Sequence, residues 1–415
     1  MPTVYLDHAA TTPVLPVAIE AVASALAAGP GNPSSAHAAG RKARQQLEDA
    51  RDRVATLLGA DPSEVVFTSG ATEANNLAVF GLVNALGVAS RLTETVLSSH
   101  IEHPCVVEPL RQLGNVTWLP VSPVGIVEQR TVLAHVTDDT RLVSLMLANH
   151  ETGAIQPVRH VAKTLPKHVL VHTDAAQAVG KIPVNFRDLG VTALTASAHK
   201  FGGPVGVGLL LLKAGTKFRP QLFGGHQQRG HRPGTEPVAL AIGLAAALEH
   251  AVANMAANTN AVESLRAAFL GRLGGVEHVV NGSPLPAGEG SVALQPGVGS
   301  EVASLPTPAG ELRSPGDPSP AGRGGNGLPH ILNISFPGCR SEVLLMALDL
   351  AGVACSTGSA CSSGSLLPSP VLSAMGVSDD VLGSAMRFSF APSLSAADVE
   401  WAADRVVESV KRVRG

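Results

Sequence analysis

The sequence predicts an α/β fold: a mostly parallel central sheet flanked by helices, followed by a smaller α+β domain. Three observations point there. Short apolar runs alternate with helical patterns from about Val65 to Leu212, and that alternation builds parallel sheets wrapped on both faces. The chemically distinctive motifs each fall in a loop at a strand exit, where open α/β sheets bind ligands. A long apolar helix around Val238–Val252 then leads into a region with its own strands and helices.

Size and composition allow this architecture. The chain has 415 residues, 45% hydrophobic and 15% charged, enough for two domains and a large core. A formal net charge of −3 without a lysine/arginine stripe argues against a nucleic-acid partner. No run approaches the roughly 18 apolar residues of a membrane span, and the first residues lack a basic region followed by an apolar stretch. The four cysteines, Cys105, Cys339, Cys355 and Cys361, are too few and too scattered for a disulfide framework. The expected compartment is the reducing cytosol.

In chain order, a short N-terminal strand is followed by a helix at Pro16–Ala28, broken by Gly29-Pro30-Gly31. A turn-rich loop, Gly31 to Ser35, precedes an amphipathic helix at Arg41–Leu58, closed by Gly59. Strand Val65–Thr68, the loop Ser69-Gly70-Ala71-Thr72-Glu73 and a helix from about Ala74 to Leu86 come next. Strands are expected at Thr95–Ser98, Val116–Leu119, Leu142–Leu147 and Leu170–Thr173, with a helix near Cys105–Leu113. An apolar run from Ala193 ends at Lys200, and a second strand spans Val205–Leu212. These boundaries give a large domain at 15–255 and a small domain at 1–14 plus 256–415. Within the latter, 283–328 is rich in Pro, Gly, Ser and Ala without periodicity and reads as a disordered or loosely packed insertion. Strand His330–Phe336, helix Ser341–Leu350, strand Met386–Phe390 and a helix from Ala396 to about Val413 complete the chain.

Lys200 follows an apolar strand and precedes a Gly/Pro turn. A lysine held out of water gives up its proton and becomes an amine nucleophile able to form a Schiff base; a strand-end lysine reaching solvent is the plainer reading. Ser69 to Glu73, between strand and helix, offers small residues and a helix start suited to a phosphate, or else a βα turn capped by Ser69 or Thr72. Asp174 ends an apolar strand, where it can pair with a protonated ring nitrogen or cap a turn. His103 stands just past another strand, where an imidazole can stack on a planar ring and move protons. Cys361 sits among small polar residues that favour an accessible thiolate. A loop residue, a disulfide with Cys355 or a weak metal pair remain open for it.

Taken together, the motifs resemble the cysteine desulfurases of the NifS/IscS type, in the class V aminotransferase group of fold-type I pyridoxal phosphate enzymes. The stretches that carry the resemblance are Tyr5 to Thr12, Gly31 to Ser35, Phe67 to Glu73, Glu102-His103, Asp174 to Gln177, Ser197 to Lys200, Arg229 to Thr235, Ser359 to Cys361 and Arg387 to Ser389. They cover nearly the whole chain outside 283–328. The resemblance implies that Lys200, Cys361 and His103 are catalytic: Lys200 binds the cofactor and moves protons at the substrate α-carbon, and Cys361 takes the substrate sulfur as a persulfide. It implies Asp174 on the ring nitrogen, Gln177 on the ring hydroxyl and His103 stacked on the ring. Ala71, Thr72, Ser197 and His199 would hold the phosphate, with Thr235 reaching the phosphate of a neighbouring subunit in a homodimer. Arg387 would clamp the carboxylate of L-cysteine, and a sulfur-acceptor protein for iron–sulfur clusters or tRNA thiolation would receive the sulfur.

The chain departs from the pattern at two points. His150 stands in Asn149-His150-Glu151-Thr152-Gly153 where the family usually has a second, substrate-contacting asparagine. The turn after Lys200 is Phe201-Gly202-Gly203-Pro204, where tyrosine and a basic residue are commoner. Alternative readings are a selenocysteine lyase or another class V aminotransferase, a non-catalytic sulfur-scaffold subunit, and a metal protein using Cys355 and Cys361.

Overall fold

The computed structural model describes residues 3–85, 95–282, 327–357 and 368–415. Cys361 and 283–326 of the expected insertion lie outside the described residues. In chain order the elements are β1 (Val4–Tyr5), α1 (Pro16–Ala27), α2 (Ala38–Leu58), β2 (Val65–Thr68), α3 (Ala71–Asn84), β3 (Thr95–Ser99) and α4 (Pro104–Leu113). There follow β4 (Val116–Leu119), α5 (Gln129–His135), β5 (Thr140–Ser144), α6 (Val158–Thr164), β6 (Leu170–Asp174), α7 (Phe186–Leu189), β7 (Ala193–Ser197) and β8 (Gly208–Leu212). The remainder is α8 (Val238–Ala253), α9 (Met255–Arg272), β9 (Val279–Asn281), β10 (Ile331–Ser335), α10 (Ser341–Leu350), β11 (Val353–Ala354), α11 (Pro370–Ala374), α12 (Asp379–Gly383), β12 (Ala385–Ser389) and α13 (Ala396–Arg414). Among these, no single helix is long and apolar enough to cross a membrane.

The seven-stranded sheet has the order β2-β8-β7-β6-β5-β3-β4. Only β8 runs against its neighbours; the other six strands are mutually parallel. The carboxyl ends of β2, β3, β5, β6 and β7 therefore open along one edge. Every residue of β2, β7 and β8 is buried, because helices cover both faces. α2 shows how one face is closed. Ala43, Leu47, Ala50, Val54 and Leu58 recur at helical spacing and are buried, while its charged face meets water. Gly59 stops it with φ 63°, a left-handed conformation that glycine adopts without a Cβ penalty.

Boundaries differ from expectation where turn chemistry overrides hydrophobicity. The strand expected from Val205 starts at Gly208, because Val205 is exposed and Gly206 turns with φ 90°. At Gly208 an added Cβ would lie 2.6 Å from Gly70 Cα and 2.7 Å from the Ala196 carbonyl oxygen, so only glycine lets β8 approach the loop after β2. α2 begins at Ala38 rather than Arg41 because the His37 ring accepts the Gly40 N–H. The strand expected to Leu147 ends at Ser144, although Leu145 and Leu147 still donate to the carbonyls of His172 and Asp174.

A second core forms around the antiparallel sheet β12-β10-β9, with α9, α10 and α13 packed on it. Phe269 lies at its centre, with ring centroids 4.9 Å from Phe388 and 5.5 Å from Phe390. Phe269→Ala is expected to cost about 3–5 kcal/mol, read as a lowered denaturant midpoint. The N-terminal segment bridges the two cores. β1 pairs with β11 in parallel, and Ser389 binds Leu6 and Ala9 through its backbone N–H and hydroxyl.

Candidate active site

Five strand exits supply the site. Beyond β7, one helical turn (Ala198–Lys200) aims the Lys200 amine at the N-terminal segment, where Nζ donates to the carbonyls of Ala9 at 2.7 Å and Ala10 at 2.8 Å. Gln177, beyond β6, donates from Nε2 to the same Ala9 carbonyl at 3.0 Å. Lys200 and Gln177, 23 positions apart (200 − 177), thus meet on one oxygen.

Asp174 closes β6 and is buried. Its Oδ1 accepts the Ala176 N–H at 2.9 Å, so it does cap its own turn, while Oδ2 accepts from Asn75 Nδ2 at 2.8 Å. Asn75 lies one turn into α3 and is fully buried. Its Oδ1 accepts from the Thr195 hydroxyl at 2.5 Å and faces His172 Nε2 at 3.1 Å. Burial pushes His172 down to about 4, leaving it neutral. Facing an acceptor, Nε2 carries the proton, and Nδ1 accepts from the Ser144 hydroxyl at 2.9 Å. Sequence reasoning missed Asn75, Thr195 and His172. The available signal was His172 two residues before Asp174, on the same face of the strand.

At the start of α3 the cap position belongs to Gly70, which makes no side-chain capping bond. The alternative reading, a turn capped by Ser69 or Thr72, is thus not the arrangement seen: the Ser69 N–H is taken by Glu73 Oε2 at 2.8 Å. An added Cβ on Gly70 would stand 3.6 Å from Ser197 Oγ, which places that hydroxyl beside the residue that opens α3. His199 Nδ1 lies 3.2 Å from Thr11 Oγ1; burial and, secondarily, the Lys200 charge push its ring down to about 4. Thr235 is exposed on the loop before α8. That loop is tied to α3 by Arg232, whose Nε donates to Glu73 Oε1 at 2.7 Å.

Beyond β3, His103 caps α4, its Nδ1 accepting the Cys105 N–H at 3.2 Å. Its ring meets that of His150, beyond β5, edge-on at 5.2 Å. Burial pushes both rings down, and His150 far down. The His150 carbonyl accepts from Arg387 at 2.9 Å, and the same guanidinium reaches Asp7 Oδ1 at 2.8 Å. Arg387 Nε and His150 Nδ1 are buried without a partner among the described residues. Asp7 was not singled out as a site residue, though it lies in a motif stretch. Ser356 and Ser369 flank Cys361 in the chain. Ser356 exchanges two backbone hydrogen bonds with Arg387, and the Ser369 hydroxyl donates to Glu151 Oε2 at 2.6 Å.

These buried groups set an acid limit on the fold. His8 and His172 both drop from 6.5 to about 4, chiefly by burial. An unfolded chain takes up protons on them below pH 6.5 that the folded chain refuses until about pH 4, so stability is lost as pH falls through that window. Glu151, raised by burial to about 7, pulls the other way over much of the same range. The depressed histidines, with His199, His150 and His330 joining His8 and His172, outnumber the raised carboxyls Glu151 and Glu102. His172 alone contributes about 3 kcal/mol. The melting temperature is therefore expected to fall from pH 6.5 to pH 4, and less so in His172→Asn than in the parent.

Comparison with known proteins identifies the family. The family model for class-V aminotransferases matches residues 4–295. The chain is 37% identical to the cysteine desulfurase IscS of Dictyoglomus turgidum, over 99% of this chain and 96% of that one. It is also 37% identical to the IscS-like cysteine desulfurase of Mycobacterium tuberculosis, over 99% and 97%. Among solved structures, a NifS-like protein superposes with a TM-score of 0.82 at 31% identity, covering 99% of this chain and 100% of that one. SspA in complex with cysteine superposes with a TM-score of 0.73 at 28% identity, covering 94% and 99%. Matched by the family model over most of its length and by these relatives from end to end, the chain belongs to the class-V aminotransferase family.

Proposed function

We propose that the protein is a pyridoxal phosphate-dependent cysteine desulfurase that converts L-cysteine to L-alanine and passes the sulfur to Cys361. The observation that carries this reading is the meeting of Lys200 and Gln177 on the Ala9 carbonyl. The residues fit the cofactor. A buried carboxylate is held in place for a ring nitrogen, and a helix start without a side-chain cap suits a phosphate. Bound pyridoxal phosphate supplies an electron sink for charge released at the substrate α-carbon.

The chain's own residues do the rest. Asp174 would hold a proton on the ring nitrogen, Gln177 would contact the ring hydroxyl, and His103 would pack against the ring. Ala71, Thr72, Ser197 and His199 would hold the phosphate, and Thr235 would complete that set across a homodimer. Lys200 removes and returns the proton at the α-carbon. Arg387 orients the carboxylate through N–H groups left over from Asp7 and the His150 carbonyl, and His150 lines the same wall. The Cys361 thiolate attacks the substrate sulfur; an S–S bond forms as the Cβ–S bond breaks, and Cβ takes a proton to become the methyl of alanine. A cytosolic sulfur-acceptor protein then takes the persulfide sulfur. Purified protein supplied with L-cysteine and a thiol reductant is expected to release alanine and sulfide in equal amounts. Failure to form alanine, or consumption of a keto acid instead, would overturn the reading.

A further inference from the structure

We propose that Asn75 and Cys105 are positioning residues that fix the proton of His103 on Nε2 and join that ring to Asp174. The role rests on the reading of the site given above, since it concerns the histidine assigned to the cofactor ring. His103 Nδ1 accepts the backbone N–H of Cys105 at 3.2 Å and lies 2.9 Å from Cys105 Sγ. A ring nitrogen that accepts an N–H carries no proton of its own, so the neutral ring has its proton on Nε2. In the second contact the thiol is therefore the donor.

The electrostatics agree with a neutral pair. Burial, and after it the Asp174 carboxylate, push the Cys105 thiol up, while burial pushes His103 down. A thiolate–imidazolium pair would need both groups to move the other way. Sulfur is in turn an acceptor: Asn75 Nδ2 donates to Cys105 Sγ at 3.1 Å. The same NH2 group donates to Asp174 Oδ2 at 2.8 Å.

Asn75 holds one orientation. Its Oδ1 takes the Thr195 hydroxyl and the His172 Nε2 proton. A flipped amide would set its NH2 against those two donors and its oxygen against the Asp174 carboxylate. Asp174, Asn75, Cys105 and His103 thus form one chain with donors matched to acceptors throughout. The S–H bond favours the neutral ring, because protonating Nδ1 would set two donors against each other.

The test uses the holoenzyme as parent, Cys105→Ser, Cys105→Ala, Asn75→Leu and the Cys105→Ala/Asn75→Leu double variant. Selective 15N-histidine NMR reads the tautomer of His103, and the pH profile of kcat/KM reads its titration. Parent and Cys105→Ser are expected to hold the Nε2–H form and the same acidic limb. Cys105→Ala is expected to move the His103 titration upward by about 0.5–1 pH unit, the effect of one neutral hydrogen bond. Asn75→Leu should shift His103 more in the parent than in the Cys105→Ala background, what remains there coming through Asp174, which Asn75 also holds. A merely structural role would lower stability without moving the titration. Unchanged nitrogen shifts in Cys105→Ala, or a parent ring protonated on Nδ1, would overturn the proposal. The nitrogen shifts do not depend on desulfurase turnover, so failure of the functional reading would be seen separately, as missing alanine.

Discussion

Cys361→Ala is expected to keep the visible absorbance of the bound cofactor and to lose at least about a thousandfold in alanine release from L-cysteine. The two readouts separate because the cofactor-facing groups come from the strand exits of the large sheet, whereas Cys361 belongs to the stretch between Ser356 and Ser369. Those flanking serines are bonded to Arg387 and Glu151, so the variant leaves the wall of the site intact. Alanine formation requires a nucleophile to accept sulfur from the breaking Cβ–S bond. Binding of L-cysteine, followed as a change in absorbance, should persist. Turnover equal to the parent would remove Cys361 from the mechanism and leave the other assignments standing.

Lys200→Ala is expected to abolish covalent retention of the cofactor after borohydride reduction and to reduce turnover by at least about a thousandfold. The fold should tolerate the change. Among the bonds of Lys200 are those to the Ala9 and Ala10 carbonyls, whose loss costs about 1–3 kcal/mol. Lys200→Arg separates charge from chemistry: it keeps a cation near those carbonyls but has no amine that loses its proton. Retention of chromophore in reduced, denatured Lys200→Ala would show that the attached amine is another lysine.

Both variants test residues that were legible in the sequence, and the reason is local. Lys200, Asp174 and the Ser69–Glu73 loop each sit at the end of a short apolar run, so a strand and its exit can be read together. The alternation of elements likewise gave the sheet and its rows of parallel strands. Other features depend on distant partners. The reversed direction of β8 follows from the short connection 198–207 to β7, too short for the crossover that a parallel neighbour needs; its pairing with β2 on the other side is what no local pattern encodes. Asn75 looks like any polar residue in the first turns of a helix; only the fold sets it between Asp174 and Cys105. His172 reads as a strand residue until Asn75 and Ser144 appear on its two nitrogens. Gly70 stands between two better capping residues, Ser69 and Thr72, and takes the position with φ 156°, a conformation that side chains rarely adopt.

The segment between β1 and α1 supports both the lysine and the arginine of the site: Ala9 and Ala10 receive Lys200, and Asp7 receives Arg387, 380 positions later. During translation this strip leaves the ribosome long before its last partner exists. At about 5–20 residues per second the wait from Asp7 to Arg387 is about 20–75 s. The large sheet can form in that interval, but its amine acquires a complete seat only once the strip is also pinned by Ser389. The strip is therefore fully pinned only after Ser389 has been synthesised.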